Sequence, residues 1–298
     1  MNKNYKRPLI IDGAMGTELM NLGVDLPLPL WSSVANFNDY DKVVDIHKRY
    51  INAGSNIITS NTFRTTARTF KKAGYTDEQA NEISKKCTSE AIKAAKEAID
   101  NKNVLLAGSI APLEDCYEPD RFPGKIKARK EFEEIIQNID SCGVDIFLFE
   151  TMGNFEEIET ILELSRGLNQ KRWLSIVLKN ETSILDGTSL EKTIKLLKKY
   201  RLDMLLINCT PINVITNSLG LFTSLWDGKW GTFPNAGKSM PSKEGKFESK
   251  VEDDIFSNTL KRYLNLGAVV LGACCGSTPN TIRTVSYTHL TLPTKRIV

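Results

Sequence analysis

Histidine is nearly missing from this chain: 298 residues contain only His47 and His289. A mechanism built on a histidine base, or a metal site built on clustered imidazoles, has almost nothing to work with. This disfavours Ser-His-Asp hydrolases and HExxH metalloproteases. Long apolar runs are missing too. Stretches such as Ile146 to Phe149 and Ala268 to Leu271 stop far short of the roughly 20 residues that cross a bilayer, so no membrane span is expected. The basic start, Met-Asn-Lys-Asn-Tyr-Lys-Arg, lacks the apolar stretch and small-residue cleavage site of a secretion signal, and a cytoplasmic protein is expected. Charge of one sign is also lacking: 39 Lys and Arg nearly cancel 36 Asp and Glu, leaving +3, too small a bias to imply a nucleic-acid partner. Six cysteines occur without the close spacing of a disulfide framework, which points to free thiols.

What is present is the composition of a globular protein, 41% hydrophobic and 25% charged, with enough apolar material to bury a full core. One phrase recurs: an amphipathic stretch, a Gly or polar turn, then a short apolar run ending in a polar residue. It stands at Ala53 to Thr59, Cys142 to Glu150, Arg201 to Cys209 and Leu266 to Gly272. Each copy reads as a helix end followed by a buried strand. Leu9 to Ile11, Val104 to Gly108, Trp173 to Leu178 and Trp230 to Phe233 supply four more strands. Helical periodicity covers Asp41 to Asn52, Glu78 to Asp100, Lys130 to Ser141, Phe155 to Gly167, Leu190 to Tyr200, Ile212 to Leu225 and Asp253 to Asn265. No linker divides the chain. These alternations predict an α/β protein, a single-domain (β/α)8 TIM barrel, with an open doubly wound sheet as the alternative.

In a barrel, function gathers where the strands end. The residues to inspect are Asp12, Thr59 to Asn61, Ser109, Glu150, Asn208 with Cys209, Pro234 with Asn235, and Cys274 with Cys275. Cys209, Cys274 and Cys275 fall just past predicted strands, whereas Cys87 and Cys142 lie in helical patterns and Cys116 in a loop. Three thiolates around Zn2+ would leave a fourth position open for a substrate; buried cysteines as small apolar filler are the other reading. Asp12 and Glu150 form a carboxylate pair suited to an ammonium group or acid/base chemistry, or else two solvated strand ends. The turn Asp12-Gly13-Ala14-Met15-Gly16-Thr17 matches neither GxGxxG nor the P-loop; its amides could hold a carboxylate, or its glycines could simply allow the turn. His47, beside Lys48 and Arg49, is expected at the surface, and Lys192, Lys195, Lys198 and Lys199 on a solvated helix face.

Taken together, Asp12-Gly13-Ala14-Met15-Gly16-Thr17-Glu18-Leu19, Gly108-Ser109-Ile110-Ala111-Pro112, Glu150-Thr151, Asp186-Gly187-Thr188, Asn208-Cys209, Pro234-Asn235-Ala236-Gly237 and Gly272-Ala273-Cys274-Cys275-Gly276-Ser277-Thr278-Pro279 resemble the homocysteine S-methyltransferase family, from about residue 9 to 285. The resemblance implies a zinc-dependent enzyme in which Cys209, Cys274 and Cys275 bind the metal and the sulfur of L-homocysteine completes the tetrahedron. It further implies that Glu150 and Asp12 face the substrate ammonium, that Gly13, Ala14 and Ser109 line the amino-acid pocket, that Asn208 orients the metal loop, and that the turn from Pro234 to Gly237 closes over the site. The expected partners are L-homocysteine and a small methyl donor, with S-methylmethionine or S-adenosylmethionine favoured over betaine. A segment around Leu30-Trp31-Ser32 resembles the sulfonium-using members. A homocysteine-activating module that needs a corrinoid partner protein is the enzymatic alternative, and an inactive zinc- or homocysteine-binding protein the non-enzymatic one.

Two departures stand out. Ala273 occupies a position where the family has glycine, which would cost about 1 kcal/mol if positive φ were required. The tail 286–298 is Thr-rich, β-branched and interrupted by Pro293, so it is expected not to continue the last helix. It looks like translated adapter sequence, and the barrel is expected to occupy 1–285 with a non-native tail after it.

Overall fold

The computed structural model describes residues 7–242 and 246–290. All eight expected strands form and lie parallel in one sheet. They are β1 (Leu9–Ile10), β2 (Ile57–Thr59), β3 (Leu105–Ile110), β4 (Ile146–Met152), β5 (Lys171–Ile176) and, after a hairpin of β6 (Leu178–Asn180) and β7 (Ser183–Ile184), β8 (Met204–Pro211), β9 (Trp230–Asn235) and β10 (Val270–Leu271). The order β1-β10-β9-β8-β5-β4-β3-β2 leaves β1 and β2 at the two ends, and a parallel bridge between Ile11 and Ile57 joins them. The sheet is therefore a closed (β/α)8 barrel, not an open doubly wound sheet.

The helices are α1 (Met15–Asn21), α2 (Ala35–Asn38), α3 (Tyr40–Asn52), α4 (Ala67–Lys72), α5 (Asp77–Ile99), α6 (Lys125–Cys142), α7 (Phe155–Leu164), α8 (Leu190–Leu197), α9 (Ile212–Leu225), α10 (Asp253–Asn265) and α11 (Pro279–Leu290). Local chemistry explains several starts. Thr76 and Gln79 form a reciprocal capping box on α5, while Asn154 and Ser189 accept the N3 amides of α7 and α8. None of the described helices is long and apolar enough to cross a membrane.

Period-two alternation divides the apolar residues of the strands between two separate cores. Ile11, Ile57, Ala107, Ile146, Leu148, Trp173, Leu206 and Val270 fill the barrel interior. Their strand neighbours Leu106, Phe147, Phe149, Leu174, Leu205 and Ile207 belong to the larger core between sheet and helices.

Four local expectations need correction or refinement. His47 is fully buried, because it follows Val43 and Val44 and precedes Tyr50 at helical spacing on the inner face of α3, while its neighbours Lys48 and Arg49 point outward. The strand expected over Trp173 to Leu178 stops at Ile176, and Leu178 turns into the hairpin. The carboxamide oxygen of Asn180 accepts the Thr182 amide at 2.9 Å, which makes the turn. Ala273 has no positive φ and is buried without the strain considered above. Finally, the last helix does not stop at Val285 but runs to Leu290. Burial of Ile282 and Val285 outweighs the weak helix propensity of Ser286 to Thr288, and Ser286 lies against the end of α3, where a Cβ on Gly54 would come within 2.2 Å of its hydroxyl. Residues 291–298 of the expected tail lie outside the described residues. The lysine face at 192, 195, 198 and 199 is exposed, as expected.

Candidate metal and substrate site

Along four strands the inward-facing residues change from apolar to polar near the C-terminal end: Ala107 to Ser109 in β3, Leu148 to Glu150 in β4, Trp173 to Ser175 in β5 and Leu206 to Asn208 in β8. Above this boundary a cavity of about 340 Å³ opens at the barrel mouth, lined by Asp12, Gly13, Ala14, Ser109, Glu150 and the three cysteines Cys209, Cys274 and Cys275, among others.

The cysteines arrive from two strands. The ladder of β8 shifts register between Asn208 and Pro211, and in that bulge Cys209 takes φ +46. The ladder of β4 shifts likewise, with Thr151 at φ +62. Left-handed conformations at non-glycine residues cost free energy and persist where the surroundings hold them. One side chain holds both. The Asn208 carboxamide oxygen accepts the Thr151 amide at 3.1 Å and the Ser175 hydroxyl at 2.7 Å; its NH2 donates to the Thr151 hydroxyl at 3.0 Å and to the Cys209 sulfur at 3.4 Å. Asn235 adds a bond from its NH2 to the Cys209 carbonyl at 3.0 Å.

Cys274 and Cys275 follow β10, where a left-handed Gly276 turns the chain. The Cys274 amide donates to the Pro234 carbonyl at 2.7 Å, and the Ala236 amide to the Cys275 carbonyl at 2.9 Å. The segment from Pro234 to Ala236 thus splints the Cys-Cys turn. The three sulfurs lie within 4.8 Å of one another, with Cys274 and Cys275 at 3.9 Å. Tetrahedral zinc with Zn–S near 2.3 Å requires sulfurs roughly 3.8 Å apart, so the set fits that ion in donor type and spacing. Hydrogen bonds from Cys209 and Cys274 hold the Cys275 thiol well below its usual range, while the same contacts hold Cys209 well above it. Cys87, Cys116 and Cys142 are outside the cluster.

The carboxylates line the same cavity, Asp12 just past β1, which pairs with β10, and Glu150 within β4. Asp12 accepts the Thr59 amide at 2.9 Å, and Glu150 accepts the Ser109 hydroxyl. Burial pushes Asp12 up to about 8, with a smaller contribution from Glu150, and pushes Glu150 up to about 7. Two buried acids with so little compensation form a place for a cation. In the glycine turn, the Ala14 amide donates to the Ser277 hydroxyl at 3.1 Å, and its carbonyl accepts from Tyr50 at 3.2 Å. Gly13 is required for close approach, since a Cβ there would lie 2.6 Å from the Ser277 hydroxyl.

Sequence reasoning did not nominate Tyr117, Arg64 or Phe63, which also line the cavity, and met Trp31 only within a resembling segment. Tyr117, Arg64 and Phe63 sit in loops and Trp31 opens a short 3-10 helix, none of them at a strand end. The available signal was the position of the loops after β1, β2 and β3, which a barrel places at its mouth.

Comparison with known proteins gives a consistent result. Residues 9–288 match the family model described as homocysteine S-methyltransferase. Homocysteine S-methyltransferase 2 of Zea mays is 29% identical, over 97% of this chain and 91% of its own length. The Escherichia coli K12 homocysteine S-methyltransferase is 28% identical, over 91% and 92%. The metallated form of the homocysteine methyltransferase MmuM from Escherichia coli superposes with a TM-score of 0.82 at 25% identity, covering 96% of this chain and 97% of that one.

Proposed function

We propose, from the premise that this chain belongs to the homocysteine S-methyltransferase family, that Cys209, Cys274 and Cys275 hold the zinc of an enzyme that moves a methyl group onto homocysteine to give methionine. The observation that carries the metal assignment is the convergence of three sulfurs within 4.8 Å at the mouth of the barrel. Zinc held there would supply the Lewis acidity that keeps the substrate sulfur a thiolate at neutral pH, where a free thiol with pKa about 8.5 is mostly protonated.

The chain's own residues bind and aim. Asp12 and Glu150 take the homocysteine ammonium; its arrival favours their ionised forms, and Ser109 keeps its hydrogen bond to Glu150. Asn208 holds Cys209 in the conformation that points its sulfur at the cavity. In the transfer itself, the bond between the donor heteroatom and its methyl carbon breaks as a carbon–sulfur bond to homocysteine forms. The electron pair leaves with the donor, and no protein group needs to supply a proton to a sulfonium leaving group.

The donor is a compact sulfonium, with S-methylmethionine preferred to S-adenosylmethionine. A cavity of about 340 Å³ accommodates two amino-acid-sized molecules more readily than homocysteine with a nucleoside. Its walls include Trp31, Phe63 and Tyr117, whose ring faces attract a cation.

The test is zinc content of the reduced protein, followed on the same sample by methionine formation from homocysteine with S-methylmethionine, S-adenosylmethionine and betaine in parallel. About one zinc per chain and turnover fastest with S-methylmethionine is the expected outcome. Absence of zinc under reducing conditions overturns the metal assignment, and equal or faster turnover with either other donor overturns the donor assignment.

A further inference from the structure

Both proposed substrates are amino acids, and each brings a carboxylate into a cavity whose charged groups are mostly of the same sign. Asp12, Asp115, Glu118 and Glu150 line it, and among the described lining residues Arg64 is the one cation. Arg64 lies in the loop between β2 and α4, with its side chain only 15% exposed. A guanidinium largely withdrawn from water acts on an opposite charge more strongly than one at the surface.

The chain itself leaves this guanidinium underused. It presents a planar fork of N–H donors, and the Glu114 carbonyl, at 3.0 Å, takes the one hydrogen bond that the Arg64 side chain makes among the described residues. The Asp115 carboxylate stands 3.9 Å from Nη2, too far for a hydrogen bond, and its other oxygen accepts the Tyr117 amide at 2.9 Å. Arg68, the next arginine along the chain, shows the contrast. Glu131 receives its Nε and Nη2 at 2.6 and 2.7 Å, and Glu114 receives its Nη1 at 2.7 Å, so that fork is filled from within the fold. The guanidinium carbon of Arg64 lies 5.5 Å from the centre of the Phe63 ring. Phe63 and Asp115 both line the cavity, so the charge is bracketed by two groups of its wall.

We propose that Arg64 is the carboxylate subsite for the methyl donor and selects sulfonium donors that carry an amino-acid head; this rests on the function proposed above. Its neighbours assign it to the donor rather than to homocysteine. Homocysteine is placed by its sulfur at the three cysteines and by its ammonium at Asp12 and Glu150, whereas Arg64 contacts Phe63 and the loop that carries Tyr117, whose rings suit the sulfonium. A donor with a cationic sulfur at one end and a carboxylate at the other therefore meets an aromatic face and a guanidinium fork side by side. The fork fixes direction as well as affinity, which a lysine would not do. Arg64 touches the carboxylate and not the reacting atoms, so it holds the donor equally in the ground state and the transition state. Its loss raises the donor KM and leaves kcat.

The test pairs one substitution with one change in the donor. Initial rates at saturating homocysteine are measured with S-methylmethionine and with its α-carboxamide, the same sulfonium without the negative charge, on the zinc-loaded parent and on Arg64→Gln. The parent is expected to favour the carboxylate in kcat/KM by roughly 10- to 100-fold, the range expected for hydrogen bonding to a charged group. In Arg64→Gln the two donors should fall within about 3-fold of each other, because kcat/KM for S-methylmethionine drops through KM while the amide is little affected. Each ratio is taken on one preparation and is independent of how much of the variant is folded. Arg64→Lys, which keeps the charge without the fork, should restore part of the preference. A preference that survives intact in Arg64→Gln overturns the proposal, as does a parent that does not distinguish acid from amide. A rise in the homocysteine KM with the donor preference intact assigns Arg64 to the acceptor's carboxylate and overturns it equally. A parent protein that uses no donor at all removes the functional reading itself, and the proposal with it.

Discussion

The two ends of the barrel interior are made by the same strands and behave as different materials. At the floor, Ile57, Leu148, Trp173 and Leu206 meet one another, and each apolar surface is covered by others of its kind. One inward position higher, Ser109, Glu150, Ser175 and Asn208 are just as buried, yet their chemistry is less complete. Asn208 is saturated by its neighbours, but Asp12 and Glu150 are pushed far above the usual carboxylate range, and the Asn235 carboxamide oxygen has no partner among the described residues. The floor finishes its interactions when the chain folds. The mouth leaves some of its interactions to be finished by what binds there.

The largest expected effect separates chemistry from folding. Cys209→Ala, Cys274→Ala or Cys275→Ala should each remove zinc and reduce methyl transfer by at least ~10³-fold, equivalent to about 4 kcal/mol in the barrier, while far-UV circular dichroism remains that of the parent. Near-normal turnover in any one of them would contradict the role given to the mouth. The reciprocal change is made at the floor. Leu206→Ala should lose about 2–5 kcal/mol of stability in urea unfolding, with the folded enzyme retaining its kcat/KM within about 3-fold; a large loss of kcat/KM at full folding would show that the two ends are not separable.

A smaller effect concerns a polar group buried away from both ends. The imidazole of His47 has neither ring nitrogen paired among the described residues, and burial lowers it from 6.5 to about 3. The folded protein therefore keeps it neutral while the unfolded chain takes up a proton below pH 6.5. Its contribution to stability is full above that pH and declines as pH falls toward 3. His47→Leu should abolish this dependence. Between pH 7 and 5.5 the stability difference between variant and parent should widen by about 1 kcal/mol. Parallel pH profiles would show that His47 finds a partner or becomes charged in the folded state.

His47 also shows where reading from sequence fails. The adjacent Lys48 and Arg49 suggested a surface position, but a helix face is defined by residues three and four apart, and Val43, Val44 and Tyr50 carry it inward. The loop of Tyr117 escaped notice for another reason: it has no periodicity, and Glu114 ties it to Arg68 of α4, a residue distant in sequence that also pairs with Glu131 of α6. The interruption of β5 was equally hidden, because Val177 and Leu178 are apolar and only the Asn180 turn stops the strand.

The sequence by itself determined the alternation of strands and helices, the inward parity of Glu150 and Asn208, and the placement of three cysteines just beyond strand ends. These follow from local periods of two and 3.6 residues, which a chain carries without knowing its neighbours. Tertiary structure alone decided that the ends of the sheet meet at Ile11 and Ile57, and that the sulfurs of Cys209 and the Cys274–Cys275 pair come within 4.8 Å of one another. It also decided that Thr151 and Cys209 take left-handed conformations under the hold of Asn208. Distances between strands, and strain borne by one residue for the sake of another, depend on closure of the barrel, and closure is a property of all eight strands at once.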